Sequence, residues 1–331
     1  MANVNTLLQL SNFQNPFLRT FVPSVGLVYT IQAAFAVPSI TAQSERFYDL
    51  SGSLTYISCA ALSLFIPAVR ATWGAAGASG GALPPLTNLL SVFSSDSGRF
   101  GFDWRQVALS TAVALWATRL ASYLFPRRQR IMAYDADSQF KSIRESPSRF
   151  LGTFMAQATW TTLRLMPVLA INSLPASTFA SLDSAVLITD IVGVLLYVAG
   201  FSFEVIADRQ KTTWVQEKKE EKHEEELLTS GLWSKSRHPN FFGESLLWTG
   251  IATTAAGVLA SGPGTADMAL AGGLTVKAIS LLMASISPAF VTYWLFKSVI
   301  PLSENRYDKR YGDREDYKRW KRETPVFFPK F

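Results

Sequence analysis

Apolar residues in this chain fall in long runs divided by short charged stretches. Seven runs reach the roughly 20 helical residues needed to cross a hydrocarbon core of about 30 Å. They lie near residues 18–40, 50–70, 104–125, 150–171, 184–206, 241–261 and 266–300. The pattern predicts an all-α fold, a polytopic membrane helix bundle of about seven transmembrane helices. The last run exceeds one perpendicular span, and Pro288 with the Gly272–Gly273 pair is expected to bend or divide it, with an eighth, re-entrant segment as the alternative. Residues 74–97 form a Gly, Ser and Pro-rich connection, expected to hold a short interfacial helix. The chain divides accordingly into an amino-terminal membrane region, 1–103, with two spans and this linker, and a membrane domain with a basic tail, 104–331. Residues 217–226, EKKEEKHEEE, mix signs at helical spacing and predict a solvated helix with internal pairs.

Composition adds little to this until charge is placed on the pattern. Hydrophobic residues make up 48% of the chain, near the globular average, so their segregation and not their number marks the membrane class. Of 31 Lys and Arg, 23 lie in the 41–49 loop, residues 126–149, residues 207–240 and the tail from 301. With seven spans all four regions share one face, and basic loops mark the cytosolic face. The expected orientation is amino terminus lumenal and carboxyl terminus cytosolic, in the endoplasmic reticulum if the source is eukaryotic. The expected partners are the lipid bilayer and a hydrophobic small molecule.

Several function classes drop out. The formal charge of +6 sits beside apolar runs without a recognition helix or stacking motif, which argues against a nucleic-acid partner. Cys59 is the only cysteine, so no internal disulfide and no thiolate metal site can form; it reads as a small buried hydrophobe. His223 and His238 are the only histidines, which excludes a histidine-rich metal site, and the GxGxxG and P-loop fingerprints are absent. The amino terminus lacks a basic segment ahead of an apolar core, so the first span is expected to act as the insertion signal.

Ionisable groups inside a span are costly unless they face a partner or a polar cavity, and four sets stand out on that ground. In WATRLASYLFPRRQR, Arg119, Tyr123 and Arg130 fall on one stripe of a helix; Arg127 and Arg128 suit snorkelling to headgroups, whereas Arg119 lies deeper. In FSFEVIADRQK, Glu204, Asp208 and Lys211 share one face at i, i+4 and i+7, and pairing of the acids with Arg119 is the structural alternative. In SRHPNFFGE, Pro239 suits the first position of a new helix with His238 as its cap, Asn240 and Glu244 share a face, and Arg237 adds a cation beside the amides of the helix start. In the tail, Tyr307 and Tyr311 are a helical turn apart among basic residues; an amphipathic helix on an anionic membrane surface is the alternative there.

The order WATRLASYLF, IRESPSRFLGTFMAQATW, FEVIADRQK, RHPNFFGE and YDKRYGDREDYKRW, from about Trp116 to the end, resembles the steroid 5-alpha-reductase superfamily, nearest to a branch without assigned function. The resemblance implies a seven-helix membrane fold, NADPH as hydride donor, and reduction of a carbon–carbon double bond conjugated to a carbonyl in a lipid. By position it implies cofactor contacts at Arg119, Tyr123, Arg130, Asp208, Asn240 and Glu244, with Tyr307 a looser match; Lys211, Arg237 and His238 join them from the residue reading. Glu204 stands where the reductases use asparagine, and Trp116 where a substrate-facing tyrosine is expected. The amino-terminal glutamate that polarises the substrate has no counterpart, and no residue is assigned as proton donor. A related branch, the isoprenylcysteine carboxyl methyltransferases using S-adenosylmethionine, carries an RHPxYxG-like element and a basic tail. It is the alternative enzyme, and a non-enzymatic lipid-binding protein is the third reading.

Overall fold

The computed structural model describes residues 11–78, 102–134, 143, 145–268 and 274–331, with the side chains of 71–78, 124–134 and 274–276 outside the description. The centre of the Gly/Ser/Pro-rich connection, where the interfacial helix is expected, and the Gly272–Gly273 pair lie outside the described residues. Every regular element among the described residues is helical. These are α1 (Pro16–Thr41), α2 (Tyr48–Ala78), α3 (Trp104–Tyr134), α4 (Pro147–Asn172), the short α5 (Ala176–Ala180), α6 (Ile188–Lys219), α7 (Pro239–Leu259), the short α8 (Gly262–Met268), α9 (Leu274–Trp294), α10 (Ile300–Tyr311) and α11 (Glu315–Glu323).

Six of the seven apolar runs fall on one long helix each, and the seventh, 266–300, covers the end of α8, all of α9 and a π turn that follows it. Among the described residues four stretches, Pro16–Thr41, Tyr48–Arg70, Ile188–Lys219 and Lys277–Tyr311, are long and apolar enough to cross a membrane, which points to an integral membrane protein. Pro288 does not break α9, which runs through it; the irregularity comes later, as a π turn over Leu295–Val299 that leads into α10. The chain forms two compact units. One comprises the residues up to Ala185 with Ala255–Ala284, the other Val186–Thr254 with Ser285–Phe331.

In the first unit α2 packs against α1, α3 and α4. Asn15 starts α1, its side-chain oxygen accepting from the Leu18 amide at 3.1 Å with Pro16 at the first helical position, where the missing N–H costs nothing. The interior is partly polar, and its polar groups find one another. Gln32 donates to Thr55 at 2.8 Å, and Asn172 donates to Ser63 at 2.8 Å and Ser110 at 3.1 Å. Gln106 satisfies the carbonyls of Ile171 at the end of α4 (3.1 Å) and Leu174 just beyond it (3.2 Å). Without water, such pairing is what lets polar side chains lie between helices. Arg164, buried, stacks on Trp160 at 4.6 Å and on Trp116 at 5.7 Å, and Trp116 meets Tyr56 edge-on. Trp116, the residue in the substrate-facing position by resemblance, is therefore a packed core residue. Cys59 is fully buried, as its apolar setting predicts.

In the second unit α6 and α7 run backbone against backbone. A Cβ added at Gly250 would sit 2.5 Å from both the Gly193 carbonyl oxygen and the Tyr197 amide nitrogen, and one added at Gly243 would sit 2.6 Å from the Glu204 amide nitrogen. Two glycines seven residues apart on each helix therefore permit the approach. It brings Glu204 against Gly243, the neighbour of Glu244.

The charged run after α6 differs from expectation. α6 ends at Lys219, and Glu221 takes the left-handed conformation at φ +56. The chain then folds back, so that Lys218 donates to the Glu225 carbonyl at 3.1 Å and pairs with Glu226 at 2.8 Å. Residues 220–226 are not a helix, because Leu227 is buried against Tyr311 and Tyr317, and a straight continuation of α6 carries it away from them.

Substituting Gly250→Ala is expected to cost about 1–3 kcal/mol by overpacking and to lower the thermal unfolding midpoint in detergent. Gly152→Ala, with open space around its Cβ position, serves as the comparison and is expected to leave the midpoint unchanged or slightly raised. Equal midpoints for the two variants would remove the close-approach argument.

Candidate functional site

The polar end of the second unit is assembled on α6. Gly231 takes φ +57 and starts a 3-10 turn, Gly231–Ser234; a Cβ there would strike the Gln210 side chain at 2.6 Å. Gln210 accepts from the Leu232 amide at 2.9 Å, and the buried Trp233 donates through Nε1 to the Ala207 carbonyl at 3.0 Å. The turn is thus docked on the last apolar turns of α6. The tail then runs alongside the residues that follow it. The Arg237 amide donates to the Pro325 carbonyl at 2.8 Å, Ser236 Oγ to the Phe327 carbonyl at 2.9 Å, and the Lys330 amide to the Lys235 carbonyl at 2.9 Å.

α7 starts at Pro239, as its sequence predicts, and the His238 carbonyl accepts from the Phe242 amide. The His238 side chain does not cap the helix. Its Nε2 meets Glu304 Oε1 at 2.8 Å, and its ring stacks on Phe241 at 5.4 Å. Glu304, on α10, also holds Arg237 in a charge-assisted hydrogen bond and lies 3.7 Å from Lys321. One carboxylate therefore sits among three cationic or protonatable groups. Asp308, a turn further along α10, accepts from Tyr317 at 2.7 Å and pairs with Lys321. Burial pushes the Tyr317 phenol well above its ordinary value, and the hydrogen bond to Asp308 adds to that by favouring the neutral form.

Around these groups lies a cavity of about 60 Å³. Its wall carries Lys211, Arg237, His238 and Glu304, with the rings of Trp214, Trp233, Tyr307, Tyr311 and Trp320. Lys211 sits over the Trp233 ring at 4.7 Å, and Tyr307 stacks on Tyr311 at 5.9 Å. Two donors of this wall, Arg237 Nε and Trp214 Nε1, are buried without a hydrogen-bond partner. Buried donors are seldom left so.

The structure brings Lys211, Arg237, His238 and Tyr307 together here. Glu204 and Asp208 are buried on α6, and Asn240 and Glu244 lie half-buried on the first turns of α7, in the same unit. Arg119 and Tyr123 lie on α3 in the first unit, the guanidinium 5.6 Å from the Tyr123 ring centroid; the Arg130 side chain is outside the described residues. Sequence reasoning missed Glu304, Trp233 and the tail pairing. For Glu304 a signal exists, since it precedes Tyr307 and Tyr311 by three and seven residues and so shares their helical face.

A chain whose described elements are all helical, with several apolar helices of spanning length and a charged, aromatic-lined cavity near the charged ends of two of them, falls in the class of integral membrane proteins. Its family follows from comparison. The sequence model of a family described as a protein of unknown function, DUF1295, matches residues 75–324, 250 of the 331 residues, and the chain belongs to that family. No curated protein and no solved structure matches the chain.

Glu304→Gln is expected to destabilise the protein by about 1.5–3 kcal/mol, the range for a hydrogen bond to a charged group, because Arg237 keeps its charge in a buried position. Lys321→Met should cost less, since Lys321 is about a third exposed. Denaturation of both purified variants checks the order, and a larger loss for Lys321→Met would contradict it. A second expectation concerns pH. Because burial first and the Asp308 hydrogen bond second favour the neutral phenol, the fold keeps its full stability below the unfolded value of about 10 and loses part of it as pH rises past that value toward the raised folded one. Tyr317→Phe should therefore flatten the alkaline fall in unfolding midpoint, and an unchanged fall would assign it to other groups.

Proposed function

We propose that the chain is an NADPH-dependent reductase of a carbon–carbon double bond conjugated to a carbonyl in a lipid substrate, such as a steroid, sterol or related enone. The reading includes a bundle of about seven spans with the polar end of the second unit cytosolic. It is supported first by the cavity wall, where Lys211, Arg237 and His238 converge among aromatic rings and two buried donors lack partners. The reaction class rests on the resemblance of its motifs to those of the steroid 5-alpha-reductases.

The residues suit the cofactor in kind. Cations and unpartnered N–H groups suit phosphate oxygens, with each charge-assisted contact contributing about 1.5–3 kcal/mol. Aromatic faces suit flat rings, and Asn240 and Glu244 suit amide or ribose groups. At about 60 Å³ the cavity admits a few waters or one compact anionic group, so a dinucleotide requires the wall to open, with Arg237 and His238 exchanging Glu304 for phosphate. Lys211, Arg237 and His238 are assigned to the phosphates, Tyr307 to ring contact, and Glu204 and Asp208 to the remainder of the cofactor. NADPH supplies the hydride. The protein's part is placement, exclusion of water and a hydrogen-bond donor for the developing enolate oxygen.

A second reading has its own observation. Five aromatic rings with Glu226 and Glu304 line the same cavity, and such a lining also suits the sulfonium of S-adenosylmethionine through cation–π and charge attraction. Titration calorimetry of the purified protein with NADPH, NADH and S-adenosylmethionine separates the two. NADPH is expected to bind at least tenfold more tightly than NADH, about 1.4 kcal/mol, with S-adenosylmethionine weak. Asn240→Ala and Glu244→Ala are each expected to weaken NADPH while leaving the protein folded. Tight S-adenosylmethionine binding without NADPH overturns the reductase, and no binding of any of the three favours a lipid-binding protein without chemistry.

A further inference from the structure

The tail beyond α11 is held in place, yet it exposes two of its largest apolar side chains. Hydrogen bonds to Lys235, Ser236 and Arg237 fix it. Phe327 turns inward, 6% exposed, against Phe242 and Phe296. Phe328 and Phe331 are 71% and 86% exposed. A fixed backbone that points phenyl rings at solvent leaves a favourable burial unmade, unless something other than water lies there.

Its position says what. Phe331 meets the ring of Phe203 on α6 at 6.3 Å, and Phe328 meets Phe242 on α7 at 6.1 Å. Along α6 the exposed side chains Ile188, Ile191, Leu195, Val198 and Ile206 form one outward apolar stripe. The charged residues Asp208, Arg209 and Lys211 begin within a turn of its end. Phe203 lies at that boundary, and Phe331 continues the apolar surface beside it. Lys330 next to Phe331, and Lys297 next to the exposed Phe296, place cations among the rings. Phe331 and Lys330 also border an open groove of about 830 Å³ with charged walls, so this end of the tail has an apolar neighbour on one side and a polar one on the other.

We propose that residues 325–331 are a membrane-interface anchor, with Phe328 and Phe331 inserted at the headgroup–acyl boundary and Lys330 reaching the lipid phosphates. The proposal rests on the chain being an integral membrane protein and is independent of any cofactor. Aromatic rings flanked by basic residues are the side chains that hold a protein at this depth. Because the same tail residues carry the hydrogen bonds to Ser236 and Arg237, the anchor also sets the depth of the cavity wall relative to the lipid surface.

The test uses the full chain carrying Cys59→Ser, spin-labelled at Phe328→Cys or Phe331→Cys and reconstituted in vesicles of phosphatidylcholine and phosphatidylglycerol. Collision with oxygen is compared with collision with a water-soluble nickel chelate, and a label at Glu323→Cys, an exposed position on α11, gives the aqueous reference. Labels at 328 and 331 are expected to favour oxygen, and the label at 323 to favour nickel. Nickel-dominated collisions at 328 and 331 would place the tail in water and overturn the proposal. Exclusion of both reagents would place it in a protein contact, which overturns it equally. If Cys59→Ser does not fold, the labels are introduced on the native background, where the fully buried Cys59 is shielded from labelling.

Discussion

Two helices can touch backbone to backbone only where neither carries a side chain, and the second unit depends on that constraint. Gly193 and Gly200 on α6 face Gly250 and Gly243 on α7 so closely that any Cβ would penetrate the partner's main chain. Because the helices cannot separate or rotate without losing this contact, the residues at its polar end keep fixed places. Glu204 lies against Gly243, Gln210 supports the turn at Gly231, and Trp233 reaches the Ala207 carbonyl. The cavity is built outward from that seam, with Glu304 gathering the cations on its far side.

The first unit solves a different problem by different means. Its helices carry amides and hydroxyls into the interior, and the large apolar side chains pack around them. Gln32 with Thr55, and Asn172 with Ser63 and Ser110, show polar groups used between helices where hydrophobic contrast with lipid offers little discrimination. Arg164 is kept inside by two indole faces, a setting that suits the weakly hydrated guanidinium better than an ammonium.

How far the sequence disclosed this depended on distance along the chain. Helix positions were legible because apolar periodicity and Pro239 act locally, and six of the seven runs coincide with one long helix each. The grouping of Lys211, Arg237, His238 and Tyr307 was legible in three of the four sets of costly groups. Their meeting at Glu304 was not, since its bonds span 66 and 67 residues and depend on how α10 is rotated. The run EKKEEKHEEE has a charge pattern compatible with helix or with a reversal. Burial of Leu227 decided for reversal, and no neighbour in sequence announces that.

The π turn at Leu295–Val299 sits between the membrane-length part of α9 and the residues that carry the cavity's carboxylate. A widened turn absorbs about one residue more than an α turn, and one residue on an α-helix corresponds to about 100° of rotation. Glu304 and Tyr307 therefore point where they do because the reading frame of side chains is offset just upstream. Losing a single codon within 295–299 closes the wide turn to an ordinary α turn and keeps this face of α10 in place, whereas losing one from α10 ahead of Glu304 swings the face by roughly a quarter-turn while leaving every amino acid of the cavity encoded. In this chain the spacing between a span and its site is inherited information as much as the site residues are.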